Sequence, residues 1–506
     1  MKILIANRGE IAVRVIRACR EMGLASVAVY SDCDRDARHV REAQQAVHIG
    51  PSEAARSYLR VEALLDAAKR TGADAIHPGY GFLAENAGFA RACRDAGLTF
   101  IGPSPEAIAR MGSKTEARAA AVRAGVPVVP GSERPFAADV PVDEAVRFAS
   151  HVGYPLIVKA VAGGGGKGMR VVTEAAELPS AIRTARSEAA SAFGDSAVYF
   201  ERRIRHPRHV EVQLLGDQHG TVIPFVEREC SIQRRHQKVV EESPSIAVTP
   251  ALRTRITDAA AAVARAVGYT SAGTIEFLLD EDGSFFFLEM NTRLQVEHPV
   301  TEMVTSVDLV QWQIRIARGE SLDVDPARAL TPQGHAIECR IYAEDPDDSF
   351  MPSPGRIRGL RPASGPGVRD DGGVSEGYDV PVHYDSMIAK LVAWAGSRPE
   401  AIARMTRALC EYQVLGIKTT IPFFLWLMRQ EDYRKGQYDT TYLDRLLADR
   451  RASGASFSDV SEAEAELAAI AVGVDAFMRA SAGAGAPAGR DGAALWKQAG
   501  RREALR

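Results

Sequence analysis

The sequence predicts a mixed α/β and α+β protein of several domains. Three observations carry that reading. The chain has 506 residues, enough for about three domains of ordinary size. Hydrophobic residues make up 46% and charged residues 25%, which excludes disordered, collagen-like and coiled-coil chains. Over roughly the first hundred residues, short apolar runs alternate with amphipathic stretches, the βαβαβ rhythm of a parallel sheet.

Residues 2–6 (KILIA) read as a buried strand. Ile11, Val15, Ile16 and Cys19 then recur at helical spacing over 9–22, and Gly23 stops that helix. Residues 26–30 are a second strand, 60–70 a helix, Asp74–His77 a strand and 84–96 a helix. The first turn, Asn7-Arg8-Gly9-Glu10, lacks G-x-G-x-x-G, so this Rossmann-like unit is not expected to hold a nicotinamide. Residues 125–135, rich in Gly and Pro, read as a boundary. Beyond it come the strand Leu156–Lys159, a glycine loop, the strand Met169–Thr173, a helix near 176–193 and the strand Ala197–Glu201. From 203 to about 445 strands dominate early and helices return late; past 450 the composition shifts to Ala, Gly and Ser.

The net charge of −3, from 62 basic and 65 acidic residues, speaks against coating nucleic acid. No apolar run approaches the ~18 residues that span a bilayer, and Ile3–Ala6 is too short for a signal-peptide core. The six cysteines include no C-x-x-C pair, so neither a zinc ribbon nor a disulfide framework is expected. A reduced, soluble, cytoplasmic protein follows, with neither nucleic acid nor membrane as partner.

Three stretches carry chemistry. Gly163, Gly164, Gly165 and Gly166 precede Lys167-Gly168 between two strands; without Cβ atoms their N–H groups can approach an anion. The loop is not a Walker A motif and suits a lid over phosphates, although an ordinary hairpin loop would read the same. In residues 273–297, Asp282-Gly283 between apolar strands signals a hairpin. A turn centred there puts Glu276 directly opposite Glu289, and like charges so placed call for a cation, most simply Mg²⁺ on nucleotide phosphates. Asn291 can complete its oxygen shell, and Arg293 and Glu297 supply an anion clamp and a base. Residues 226–242 combine Arg234, Arg235, His236 and Lys238 with flanking acids, which alone could be an exposed charged strand.

The blocks IANRGEIAVRVIRA, IHPGYGFLAEN, FIGP, MGSK, GGGGKGMRVV, RHVEVQ, ERECSIQRRHQKVVEE, GTIEF, EMNTRLQVEHPVTE, ECRIYAED, YDSMIAKL and LGIKTT stand in the order and spacing of one family. Over residues 1 to about 445 the chain resembles the biotin carboxylases of the ATP-grasp superfamily. The resemblance implies a Rossmann-like, pre-ATP-grasp domain (1–112), a connection (113–134), an ATP-grasp lid subdomain (135–202), an ATP-grasp core with the metal and bicarbonate site (203–330), a biotin carboxylase C-terminal domain (331–447) and a helical extension with a tail (448–506).

It implies carboxylation of biotin on a separate carrier protein from ATP and bicarbonate, with Mg²⁺ or Mn²⁺, as the first half-reaction of an acetyl-CoA-type carboxylase in fatty acid biosynthesis. A pyruvate carboxylase subunit would share the half-reaction; a purine-synthesis carboxylate–amine ligase would need the Glu pair and lid but not RRHQK or Arg340. On this resemblance Lys114 and Lys159 contact phosphates, the Gly163–Gly168 loop closes, and Glu201 and Ile204 hold adenine. His209, Gln233 and His236 line the nucleotide pocket, and Glu276, Glu289 and Asn291 hold metal. Lys238, Arg293, Gln295 and Val296 take bicarbonate, Glu297 is the base, Arg340 steadies the biotin enolate and Tyr80 faces biotin.

The implied partners are a biotin carboxyl carrier protein, carboxyltransferase subunits and a second copy of the chain. For that homodimer, Arg14, Arg17 and Glu21 on helix 9–22 are a contact or a solvated face. In the extension, Ser461 and Glu464 form a capping box, and Leu467, Ile470, Val474 and Phe477 form one apolar stripe, followed by an Ala/Gly/Pro linker and a basic tail with Trp496. The stripe packs on its own domain or docks on a partner protein.

Overall fold

The computed structural model describes residues 1–132, 136–137, 140–161, 169–458 and 462–483. The Gly163–Gly168 loop, Ser461 and the tail from 484 onward lie outside them. The chain divides into two compact units, Met1–Gly454 and Ala455–Arg506.

The first unit begins with a five-stranded, all-parallel sheet in the order Gln45–Gly50, Ala25–Ser31, Lys2–Ile5, Ala75–His77, Thr99–Phe100. After Lys2 its central strand is apolar, and Ile3, Leu4 and Ile5 are fully buried because both faces are covered. Leu4 packs with Val27, Ile76 and Phe89 on one side. Ile3 and Ile5 pack with Val15, Ile16, Leu309 and Ile314 on the other. The helix Gly9–Glu21 carries that second layer. Its Arg14 is not on a solvated face: it is 6% exposed and pairs with Glu302 at 3.0 Å and Asp308 at 2.7 Å. The edge strand Gln45–Gly50, with half of its residues exposed, gives no apolar run and escapes a reading based on periodicity.

A small antiparallel sheet, in the order Met169–Val172, Leu156–Ala160, Val198–Arg202, follows. Leu156, Val158, Val198 and Phe200 face the helices Val142–Val152 and Leu178–Phe193. The alternate residues Ile157, Lys159, Tyr199 and Glu201 are left for the other face.

The largest sheet has nine strands, all antiparallel. Its path runs Phe285–Asn291, Ser271–Leu279, Arg208–Gly216, Arg228–Arg234, Gln237–Ser243, His335–Tyr342, Met387–Ala395, Val368–Gly372, with Val222–Pro224 on one flank. In Arg208–Gly216 the period of two is plain. Val210, Val212 and Leu214 pack with Ile256, Ala260 and Val263 of the helix Pro250–Ala266, which leaves His209, Glu211 and Gln213 for the opposite face.

The hairpin Ser271–Leu279/Phe285–Asn291 turns at Gly283, whose φ of +79° suits a residue without Cβ. Next to the turn the pairs are Leu279 with Phe285 and Phe277 with Phe287. That is one step off the register expected from a turn centred on Asp282-Gly283. A bulge at Leu288 restores it, so Glu276 does stand opposite Glu289.

In the second unit the helix Glu462–Gly483 is present. Leu467, Ile470, Val474 and Phe477 are all exposed, but so are Val472 and Met478. The apolar surface is therefore wider than the single stripe expected. Among the described residues, no helix is long and apolar enough to cross a membrane.

Candidate active site

A cavity of about 570 Å³ opens between the polar face of the small sheet and that of the nine-stranded sheet. The small sheet supplies Lys159, Tyr199 and Glu201, and the helix Lys114–Arg123 adds Lys114 and Arg118. Lys159 is ion-paired to Glu201, with Arg118 3.6 Å from the same carboxylate. Burial, the leading influence, pulls the Lys114 ammonium below its usual range, with the Lys159 charge acting the same way.

The large sheet supplies a row of carboxylates. Glu276 pairs in register with Glu289 on one side and with Glu211 on the other. Sequence reasoning missed Glu211, although the alternation in RHVEVQ places it with His209. Burial works against charge on Glu276, but Lys238 and His209 outweigh it and hold the carboxyl well below the usual range. Its Oε1 accepts from Lys238 Nζ at 2.8 Å, Asn291 Nδ2 at 2.8 Å and Gln295 Nε2 at 3.0 Å. Oε2 lies 3.1 Å from His209 Nε2. Burial disfavours the imidazolium, yet the Glu276 carboxylate pushes His209 up to about 9. Glu289 opens to the cavity; partial desolvation and then the Glu276 charge push it upward. Glu276, Glu289 and the Asn291 amide offer oxygen donors alone, the set a hard divalent cation takes.

Lys238 is the hub. Its Nζ donates to Glu211 Oε2 at 2.6 Å, Glu276 Oε1 at 2.8 Å and Glu297 Oε1 at 2.7 Å. Burial opposes its charge, but three carboxylates raise it well above the usual range. Behind this hub the fully buried Arg228 donates to Glu211 Oε1 at 2.5 Å, to Gln213 Oε1 at 3.0 Å and to Thr301 Oγ1 at 2.9 Å. Glu297 lies one layer back from the cavity wall, fully buried, between Lys238 and Arg340. Burial and Glu211 oppose its charge, while Lys238 and Arg340 keep it below the usual range.

Arg293 is braced by Glu85 at 2.8 Å, from the N-terminal parallel-sheet region, and donates to Gln295 at 2.7 Å and Asn291 at 3.0 Å. Glu85 lies in the IHPGYGFLAEN block, where no local signal marks it as a partner of Arg293. Gln233, His236, Gln295 and Val296 also line the cavity. Besides Glu297, two expected residues among those described do not. Ile204 is buried away from the wall. Tyr80 packs on the apolar core with Lys390 5.7 Å from its ring. Gly163, Gly164, Gly165 and Gly166 lie outside the described residues.

Residues 1–108 match the family described as "Biotin carboxylase, N-terminal domain". Residues 113–325 match "Carbamoyl-phosphate synthase L chain, ATP binding domain", and residues 338–445 match "Biotin carboxylase C-terminal domain". Biotin carboxylase 1 of Bacillus subtilis is 53% identical over 444 residues, covering 88% of this chain and 98% of that protein. One of the pyruvate carboxylase subunits of Methanothermobacter thermautotrophicus is 52% identical over 443 residues, covering 88% of this chain and 89% of that protein. The biotin carboxylase domain of the Hydrogenobacter thermophilus 2-oxoglutarate carboxylase was solved as a dimer with MgADP, ADP and bicarbonate. It is 48% identical, with a TM-score of 0.83 over 88% of this chain and 97% of that one.

Proposed function

The chain belongs to the biotin carboxylase family, and on that premise we propose that it forms carboxybiotin as the first half-reaction of an acetyl-CoA-type carboxylase. It is an ATP-dependent ligase that uses ATP, Mg²⁺ and biotin on a carrier protein. The finer reading adds carboxyltransferase subunits as partners, fatty acid biosynthesis as the setting and a homodimer as the working form. It also assigns 1–112, 113–134, 135–202, 203–330, 331–447 and 448–506 the separate roles set out above.

The observation that carries the reading is the pair of cations on one buried carboxylate: Lys238 and Arg340 both hold Glu297. Bicarbonate is a weak nucleophile. A bicarbonate ion entering beside Lys238 and Arg293 competes for their charge, and Glu297, losing that support, becomes basic enough to take its proton. Glu276, Glu289 and Asn291 would hold Mg²⁺, which offsets charge on the transferring phosphoryl group when bound. The deprotonated bicarbonate oxygen bonds the γ-phosphorus of ATP as the bond to ADP breaks; the carboxyphosphate so formed is labile and needs shelter from water, the role we give the glycine loop. Carboxyphosphate then breaks down to CO2 and phosphate, and Arg340 stabilises negative charge on the ureido oxygen of biotin as its nitrogen passes its proton to that phosphate and bonds the CO2 carbon.

The test is ADP formation with purified protein, ATP, bicarbonate and free biotin. Glu297→Ala should abolish bicarbonate-dependent ADP formation. Arg340→Ala should retain much of it while losing carboxybiotin. ADP formation indifferent to bicarbonate in the parent chain would sink the reading. The second reading, a pyruvate carboxylase component, is favoured by the Methanothermobacter relative. The transferase that co-purifies, and the acceptor it carboxylates, decide between the two.

A further inference from the structure

Arg340 is held by two carboxylates of different kinds. Its Nη2 donates to Glu297 Oε2 at 2.9 Å. Its Nε donates to Glu241 Oε1 at 2.7 Å, and Nη2 reaches the same oxygen at 2.6 Å. Glu241 is 1% exposed and does not reach the cavity, whereas Arg340 lines it. Directly opposite Glu241, on the neighbouring strand His335–Tyr342, stands Glu338. Glu338 is 0% exposed and neither of its oxygens has a hydrogen-bond partner. Two buried carboxylates facing each other do not both carry charge unless each has a cation. Of these two, Arg340 bonds Glu241 alone, so Glu338 holds the proton; burial pushes its carboxyl well above the usual range.

The two anchors of Arg340 differ in what the reaction does to them. The proposed base, Glu297, is neutralised once it accepts the bicarbonate proton, and its ion pair with Arg340 then weakens. Burial and the Glu297 charge push Glu241 up to about 7 against the pull of Arg340; once Glu297 is protonated that repulsion is gone, and Glu241, remote from the substrates, is the anion left on Arg340. We propose that Glu241 is the positioning residue for Arg340, holding the guanidinium at the cavity wall after Glu297 has been protonated, with Glu338 as a neutral partner behind it. The inference rests on the biotin-carboxylation reading and adds the residue that keeps the arginine in place between the two partial reactions. A loss of Glu241 charge should therefore fall on the biotin step more than on ATP cleavage.

The experiment measures carboxybiotin formed per ADP released, with free biotin, in Glu241→Gln, Glu241→Asp and Glu338→Gln. In Glu241→Gln the ratio should fall about tenfold or more, with kcat for biotin falling and the KM for ATP little moved. Glu241→Asp keeps the charge and should recover part of the ratio; it carries the test if the Gln variant does not fold. Glu338→Gln replaces a neutral carboxyl by a neutral amide of the same shape and should hold the ratio within about twofold. Proportional loss of ADP and carboxybiotin in Glu241→Gln would overturn the proposal. So would an Asp variant no better than Gln, or a Glu338→Gln ratio as low as that of Glu241→Gln. The parent's own carboxybiotin yield, measured alongside, tests the underlying reading separately.

Discussion

Glu276 and Glu289 face each other across one hairpin, yet their environments separate what each does. Glu276 is buried and accepts from Lys238, Asn291 and Gln295, so it neutralises a buried cation as well as offering a metal ligand. Glu289 opens to the cavity. Glu289→Gln should therefore raise the KM for MgATP about tenfold and leave the melting temperature near that of the parent. Glu276→Gln should cost activity and also stability, by roughly 3 kcal/mol, because it removes a carboxylate from a buried ion cluster. Differential scanning calorimetry beside MgATP titrations checks both. Equal melting temperatures for the two variants would show that the cluster does not need Glu276 as a charge.

At the scale of the element, the hairpin shows how a register can be reached by a route other than the simple one. The Asp-Gly turn predicts the pairing of the two carboxylates, and they do pair. The pairs nearest the turn are one step out, and Leu288 absorbs the step. The turn and the metal-facing end of the hairpin are thereby insulated from one another. Gly283→Val forces a β-branched residue into a left-handed conformation and should cost roughly 1–2 kcal/mol. The KM for MgATP should stay within about twofold, because the bulge keeps Glu276 and Glu289 in place. A loss of Mg²⁺-dependent turnover without a loss of stability would mean that the turn itself sets the register of the site.

Across the whole first unit, buried carboxylates tie distant parts of the chain together, and acid should loosen them. Glu302 bonds Arg14 of the N-terminal helix at 3.0 Å and Arg369 of the nine-stranded sheet at 2.7 Å. Glu242 bonds His335 at 2.5 Å and Arg398 at 2.6 Å. Burial opposes charge on both, but Arg14 and Arg369 on one, and the His335 bond with Arg398 on the other, bring each carboxyl down to about 2. A depressed carboxyl stabilises fully above its ordinary value near 4.5 and loses that contribution as pH falls toward 2. Each is worth roughly 3 kcal/mol over that window. Glu302→Gln should flatten the fall in stability between about pH 5 and 2, read by denaturant unfolding at each pH. An unchanged slope would place the acid-labile pairs elsewhere.

What the sequence determined by itself is local: the βαβ rhythm of the first sheet and the carboxylate hairpin. These depend on spacing within a single strand or turn, where the period of two or 3.6 leaves little freedom. The ion cluster was not legible in that way. Lys238, Glu297 and Arg340 are far apart in the chain and meet because the strand Gln237–Ser243 pairs with His335–Tyr342. Glu241 and Glu338 stand inside the blocks ERECSIQRRHQKVVEE and ECRIYAED, but nothing in the sequence pairs one with the other. Only the strand register set them face to face, and only burial made their charges compete, since the energy of a charge depends on which groups replace the water it has lost.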